Sequence, residues 1–168
     1  MTDKKHPFEE RQSLQDYFRI ILHTVMGQAF TAAGYELKEE PMNWLGGRFR
    51  YIKPLENGIS AYIEFQVLVY NDTEWTGKQP SRFRVNLVRS DKNGGKPSKH
   101  QAYVKRSLSQ LVVEDFGVTI LPSAEYWWTF TDTDSLGQTL AEAGHLIIGY
   151  AMPFLTGDLL PETAQSDD

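Results

Sequence analysis

Residues 58–70 read GISAYIEFQVLVY, the longest run in the chain with an unbroken two-residue period. Ile59, Ala61, Ile63, Phe65, Val67 and Val69 fall on one side, and Ser60, Tyr62, Glu64, Gln66, Leu68 and Tyr70 on the other. That alternation is the mark of a half-buried strand. Residues 82–89 repeat it, with Phe83, Val85 and Leu87 opposed to Arg82, Arg84, Asn86 and Val88, so the two segments read as neighbours in one sheet. The linker at 71–81 holds Asn, Asp, Gly and Pro and suits a hairpin with a long loop. On the other side, Glu56-Asn57-Gly58 predicts a tight turn, because Asn-Gly tolerates the positive φ angles such turns require. A meander of about 47–53, 59–70 and 81–90 follows.

The segment before the meander, Asn43 to Ile52, reads as a strand interrupted by Gly46-Gly47. Paired glycines serve a bulge or a close backbone approach. A phosphate-cradling loop needs a helix N-terminus after the glycines, and Arg48-Phe49-Arg50-Tyr51-Ile52 alternates like a strand, which excludes it.

Helices flank the sheet in the sequence. Over 8–33, Leu14, Tyr17, Phe18, Ile21, Leu22, Val25, Ala29 and Ala33 recur at spacings of three and four, with Pro7 placed to start the helix and Gly34 to stop it. His23 falls on the opposite, solvated side. Ser90–Ser98 carries every local signal of a mobile loop. Ser98 and Gln101 then form a capping box for a short helix over 99–113, with Val104, Leu108, Leu111 and Val112 on its apolar face and Lys105 and Arg106 off it. Phe116–Leu121 reads as a short strand or a buried loop. Glu125–Thr131 reads as a strand with Tyr126, Trp128 and Phe130 on one face and Trp127 and Thr129 on the other. Asp132 or Asp134 caps a last helix whose stripe is Leu136, Leu140, Ala143, Ile147 and Ala151, bent or ended by Pro153, with His145 pointing away. The expected fold is α+β: an antiparallel sheet of four to five strands with two long helices and one short helix on one face. At 168 residues and 40% hydrophobic content one domain is expected, with 1–7 and 157–168 as flexible ends.

Composition bounds the function. No 18-residue apolar run and no signal-peptide stretch occurs, so a cytoplasmic protein without membrane contact is expected. The absence of cysteine excludes disulfides and thiolate metal sites. Charge is segregated beneath the net −5: residues 78–106 carry 9 Lys or Arg against 1 acid, whereas 107–168 carry 0 against 10. Such an asymmetry either closes within the fold or offers an anion-binding face.

No zinc-helix histidine pair, nucleophile elbow, Walker loop or dinucleotide glycine pattern is present, and no cofactor or metal is indicated. The constellation that the strands themselves define is different. If the apolar alternates face the helices, Arg48, Arg50, Tyr62, Glu64, Gln66, Arg84 and Asn86 converge on the opposite face, where arginine forks and amides can bind a polar ligand. The plainer reading of the same residues is cross-strand Arg–Glu pairing on a wet face.

Three stretches, Phe83-Arg84-Val85-Asn86-Leu87, Tyr126-Trp127-Trp128 and Tyr150-Ala151-Met152-Pro153-Phe154-Leu155, resemble in order and spacing a family of uncharacterised bacterial proteins designated a domain of unknown function. The resemblance implies a helix, a strand meander, an aromatic strand and a terminal helix, and carries no catalytic residues.

Two functional classes remain. The first is a non-catalytic interaction or accessory protein, immunity-like, binding a protein partner or a second copy of itself. The second is a polyanion or nucleic-acid module using Arg82, Arg84, Arg89, Lys92, Lys96, Lys99, Lys105 and Arg106, which a pI near 5.4 disfavours. An enzyme would need an acid–base pair such as Glu64 with Tyr62, whose spacing is not specific to catalysis.

Overall fold

The computed structural model describes residues 7–69 and 80–161, with side chains described from Gln15 onward. Six strands form one open antiparallel sheet: β1 (Glu36–Leu37), β2 (Arg48–Pro54), β3 (Ser60–Leu68), β4 (Ser81–Ser90), β5 (Val104–Ser107) and β6 (Trp128–Phe130). The order is β1-β2-β3-β4-β5, and β6 pairs a separate stretch of β4. Among the described residues four α-helices accompany it: α1 (Pro7–Ala32), α2 (Pro41–Leu45), α3 (Thr133–Leu146) and α4 (Met152–Thr156).

The meander lies where the alternation places it, and Asn57 (φ 61°) and Gly58 (φ 74°) take the left-handed backbone of the β2–β3 turn. Phe49, Tyr51, Ile63, Phe65, Val67, Phe83, Val85 and Leu87 are all buried and belong to one core cluster with α1 and α3 residues. Helices α1 and α3 therefore cover the apolar face, and the polar alternates lie on the other. Phe18 of α1 ties the layers together, its ring 5.6 Å from both Phe49 and Phe83 and 6.0 Å from Phe130.

Several elements differ from expectation. Residues 43–45, expected to be extended, belong to α2; Pro41 occupies its first turn, where a missing N–H costs nothing. The buried stripe of α1 is Phe18, Leu22, Met26 and Phe30, whereas Tyr17 and Val25 are exposed. Apolar residues occur around much of this helix, and its packing on the aromatic face of the sheet selects the four-residue row. Residues 99–113 are not one helix. Val104–Ser107 instead pair with Asn86–Arg89, and a helical segment follows whose π-helical part is Gln110–Asp115. Leu108, Leu111 and Val112 are still buried and Val104 half-buried, but by a different route, because an open β4 edge offers backbone partners that local periodicity does not reveal. Ser98 accepts the N–H of His100, two residues on, in a turn rather than a helix cap.

The terminal helix follows its expected stripe, with Leu136, Leu140, Ala143, Ile147 and Ala151 buried. Asp132 caps it reciprocally with Ser135. Pro153 does not end it: a π-helical turn, Ile147–Ala151, precedes the proline, and the helix closes at Gly157 (φ 83°). His23 and His145 are exposed. The expected strand around the tryptophans is reduced to Trp128–Phe130, and residues 116–121 form a half-buried loop in which Phe116, Val118 and Leu121 touch the core. Tyr70 at the end of the expected strand 59–70, residues 71–79 of the loop expected at 71–81, the ends at 1–6 and 162–168, and the Leu14 side chain lie outside the described residues.

Two tyrosines make the core sensitive to alkali. Tyr35 and Tyr51 are 1% and 3% exposed, their hydroxyls have no hydrogen-bond partner among the described residues, and burial pushes both phenols up to about 12. An unfolded phenol ionises near ~10. Their stabilising effect is therefore complete below pH ~10 and is lost as pH rises towards 12, by roughly 2–3 kcal/mol for each. We expect the Tyr35→Phe/Tyr51→Phe variant to match or exceed the parent in thermal stability at pH 8, since orphaned hydroxyls disappear. Its melting temperature should fall less steeply from pH 9 to 11.5, and parallel curves would refute this.

Candidate functional site

Strand register lays out the open face. Arg48 lies opposite Gln66, which lies opposite Arg84; the next row is Arg50, Glu64, Asn86 and Ser107, and the third is Ile52, Tyr62, Val88 and Lys105. Arg48, Arg50, Tyr62, Glu64, Gln66, Arg84 and Asn86, the residues expected to converge, line one cavity of about 260 Å³ with Tyr103 and Lys105. A second hollow of about 420 Å³ shares Arg84, Asn86 and Lys105 and extends past Ser109 to Glu125, Tyr126 and Trp127. The two make a groove across the face.

Its polar groups are wired specifically. Arg84 Nε donates to Gln66 Oε1 (2.9 Å), and Asn86 Nδ2 donates to Glu64 Oε1 (3.1 Å). Among the described residues the anticipated Arg–Glu pairing between strands does not form. Arg50, although opposite Glu64, turns to Glu40 just before α2, donating from Nε (3.1 Å) and Nη2 (2.5 Å), while its Nη1 reaches the Gly94 carbonyl (2.7 Å). A bidentate, partly buried fork outweighs an exposed cross-strand contact. Glu64 is left with a neutral partner. Trp127 lies beneath two guanidiniums, those of Arg82 at 4.6 Å and Arg84 at 4.8 Å from its ring centre.

The loop between β4 and β5 closes one end of the groove. Gly95 (φ 72°) passes so near the sheet that a Cβ there would lie 3.3 Å from the Tyr62 ring and 3.2 Å from Val88. Tyr62 is consequently only 5% exposed. Sequence reasoning had this segment only as a loop, and it missed Glu40, Gly94, Tyr103 and Trp127 as groove components. The Gly94-Gly95 pair was the available signal, of the same kind as Gly46-Gly47.

The basic segment does not form one patch. Arg89 is used within the fold: Nε donates to Ala102 O (2.7 Å) and Nη1 to Leu155 O (2.9 Å) and Phe154 O (3.3 Å), holding the last helical turn against β4. Burial lowers its pKa. Arg106 donates to Asp115 from Nε (3.0 Å) and Nη2 (2.8 Å) and to Glu114 from Nη2 (2.9 Å), contacts that raise its pKa. Part of the charge segregation thus closes inside the molecule. Lys92, Lys96, Lys99 and Lys105 are exposed, only Lys105 of them lining the groove, and Arg82 rests on Trp127.

Asp91, Ser98 and His100 also meet, in the loop before β5. Ser98 Oγ donates directly to Asp91, and His100 Nδ1 accepts the Ala102 N–H (3.0 Å). A hydrolytic triad needs the imidazole between serine and acid. This cluster is a turn staple instead.

Among the described residues no group of three or more His, Cys, Asp or Glu is placed to hold a metal ion, and no helix is long and apolar enough to cross a membrane. No family model, curated protein or solved structure matches the chain.

Proposed function

We propose that the chain is a non-catalytic binding protein, accessory or immunity-like, that takes a partner protein on the open face of its sheet. The observation that carries this reading is a cavity lined by seven polar side chains from three strands, on the face of the sheet opposite the core shared with α1 and α3. Arginine and tyrosine line this cavity and Trp127 the adjoining hollow, and these are residue types that dominate protein recognition. A nucleic-acid role has less support: Arg89 and Arg106 are engaged within the fold, and Trp127 carries guanidiniums where a base would stack.

A photocrosslinking amino acid placed at Tyr103, which lines the groove without holding Arg84, or at Ile148 on the exposed side of the terminal helix, tests the assignment in lysate of the source cells. A discrete crosslinked protein from position 103 alone is the expected result. Equal products from both positions, or none from 103, would reject it. A product of twice the chain mass from 103 alone would make the partner a second copy.

A further inference from the structure

Resting on that reading, we infer that the groove recognises an acidic, extended segment of the partner, with aspartate or glutamate carboxylates seated on Arg84 and Arg48. Five cations line the two hollows, and Arg50 and Arg106 are neutralised by Glu40 and by Glu114 with Asp115. Arg48, Arg84 and Lys105 have no acidic group within 4.0 Å among the described residues. Gln66 holds Nε of Arg84 and Trp127 supports its plane, which orients the guanidinium and leaves its terminal amino groups as a fork for a carboxylate. Arg48 and Arg84 flank Gln66 on either side, about 10 Å apart across two strand spacings. An extended chain at roughly 3.3 Å per residue bridges them in about three residues. Glu64 and Glu125 also line the groove, so its uncompensated charge is small; this suits single carboxylates better than the dense phosphates of a nucleic acid.

The test is calorimetric titration of the full chain with capped hexaglutamate at about 0.15 M salt, where exposed charges are screened beyond about 8 Å. Capped hexaglutamine, inorganic phosphate and oligo-dT are the comparison probes. Hexaglutamate is expected to bind and the others not. Arg84→Gln should weaken it about 10- to 100-fold, the range for a hydrogen bond to a charged group. Arg84→Lys, which keeps charge but loses the fork, should weaken it nearly as much, and Arg48→Gln serves should the Arg84 variants not fold. Lys99→Gln, outside the groove, should change nothing. Equal affinity in Arg84→Gln and parent, no hexaglutamate binding, or tighter oligo-dT binding would overturn the inference. A crosslink from position 103 that hexaglutamate fails to suppress would also overturn it while sparing the partner reading. Hexaglutamate binding without any crosslink would reject only the partner.

Discussion

Truncating Phe18 to alanine is expected to destabilise the protein by about 3–5 kcal/mol, the range for removing a buried phenylalanine from a core. Phe18 is 1% exposed, and its ring meets Phe49, Phe65, Phe83 and Phe130 at centroid distances of 5.6–6.5 Å. Those four residues belong to β2, β3, β4 and β6, so a single side chain couples α1 to four strands. The resulting cavity would be walled by rings already fixed against one another, such as Phe65 against Phe83 at 6.1 Å, and a packed wall of that kind relaxes little. For a chain of this size the melting temperature should fall by roughly 6–20 °C. Ile20→Ala on the same helix, at a position 54% exposed, should stay within about 0.5 kcal/mol of the parent. A Phe18→Ala protein melting within 2 °C or so of the parent would show that α1 is not the lid of this core.

The contrast between Phe18 and Ile20 also marks where the sequence stops being readable. The meander was legible because period-two alternation leaves one apolar face on each strand, and a one-residue slip would expose Ile63 or Phe65. The same constraint made the groove residues legible: once Phe83, Val85 and Leu87 face the helices, Arg84 and Asn86 have only the open face left. On α1 the periodicity is ambiguous, since Tyr17, Val25 and Ile20 are as apolar as Met26 and Phe30, and the tertiary partner decides. The strand Val104–Ser107 was illegible for a related reason. Its stabilisation comes from the β4 edge, distant in sequence, and its one apolar residue, Val104, also satisfies a helical spacing with Leu108 and Leu111. Within the site, the contacts that set its electrostatics are non-local too: Glu40 capturing Arg50, the Gly94-Gly95 turn over Tyr62, and Trp127 under Arg84.

Gly47→Ala is the second large effect, and its neighbour supplies the control. Gly47 has φ +78°, and a Cβ built on it would lie 2.3 Å from the carbonyl oxygen of Val67, so the β3 backbone would have to move. The Gly47 carbonyl meanwhile accepts the Val67 N–H at 2.8 Å, a bond that such a movement breaks. Left-handed backbone costs a non-glycine residue about 1–2 kcal/mol. A buried polar group left unpaired adds about 1–3 kcal/mol, for a total of roughly 2–5 kcal/mol. In urea the unfolding midpoint should drop by roughly 1–2.5 M with an unchanged slope. Gly46 has φ −84°, and the nearest atom to its added Cβ is 3.5 Å away. Gly46→Ala should therefore be neutral, or stabilising by up to about 1 kcal/mol through the stiffer unfolded chain. Similar losses in the two variants would mean that the glycine pair acts through flexibility; a loss confined to position 47 would mean that it acts through one close approach. That approach sits one residue before Arg48, so displacing it also moves a guanidinium at the groove's edge. Gly47→Ala protein that remains folded should then bind hexaglutamate more weakly than Gly46→Ala, which links the packing of the β2–β3 end to the placement of the site.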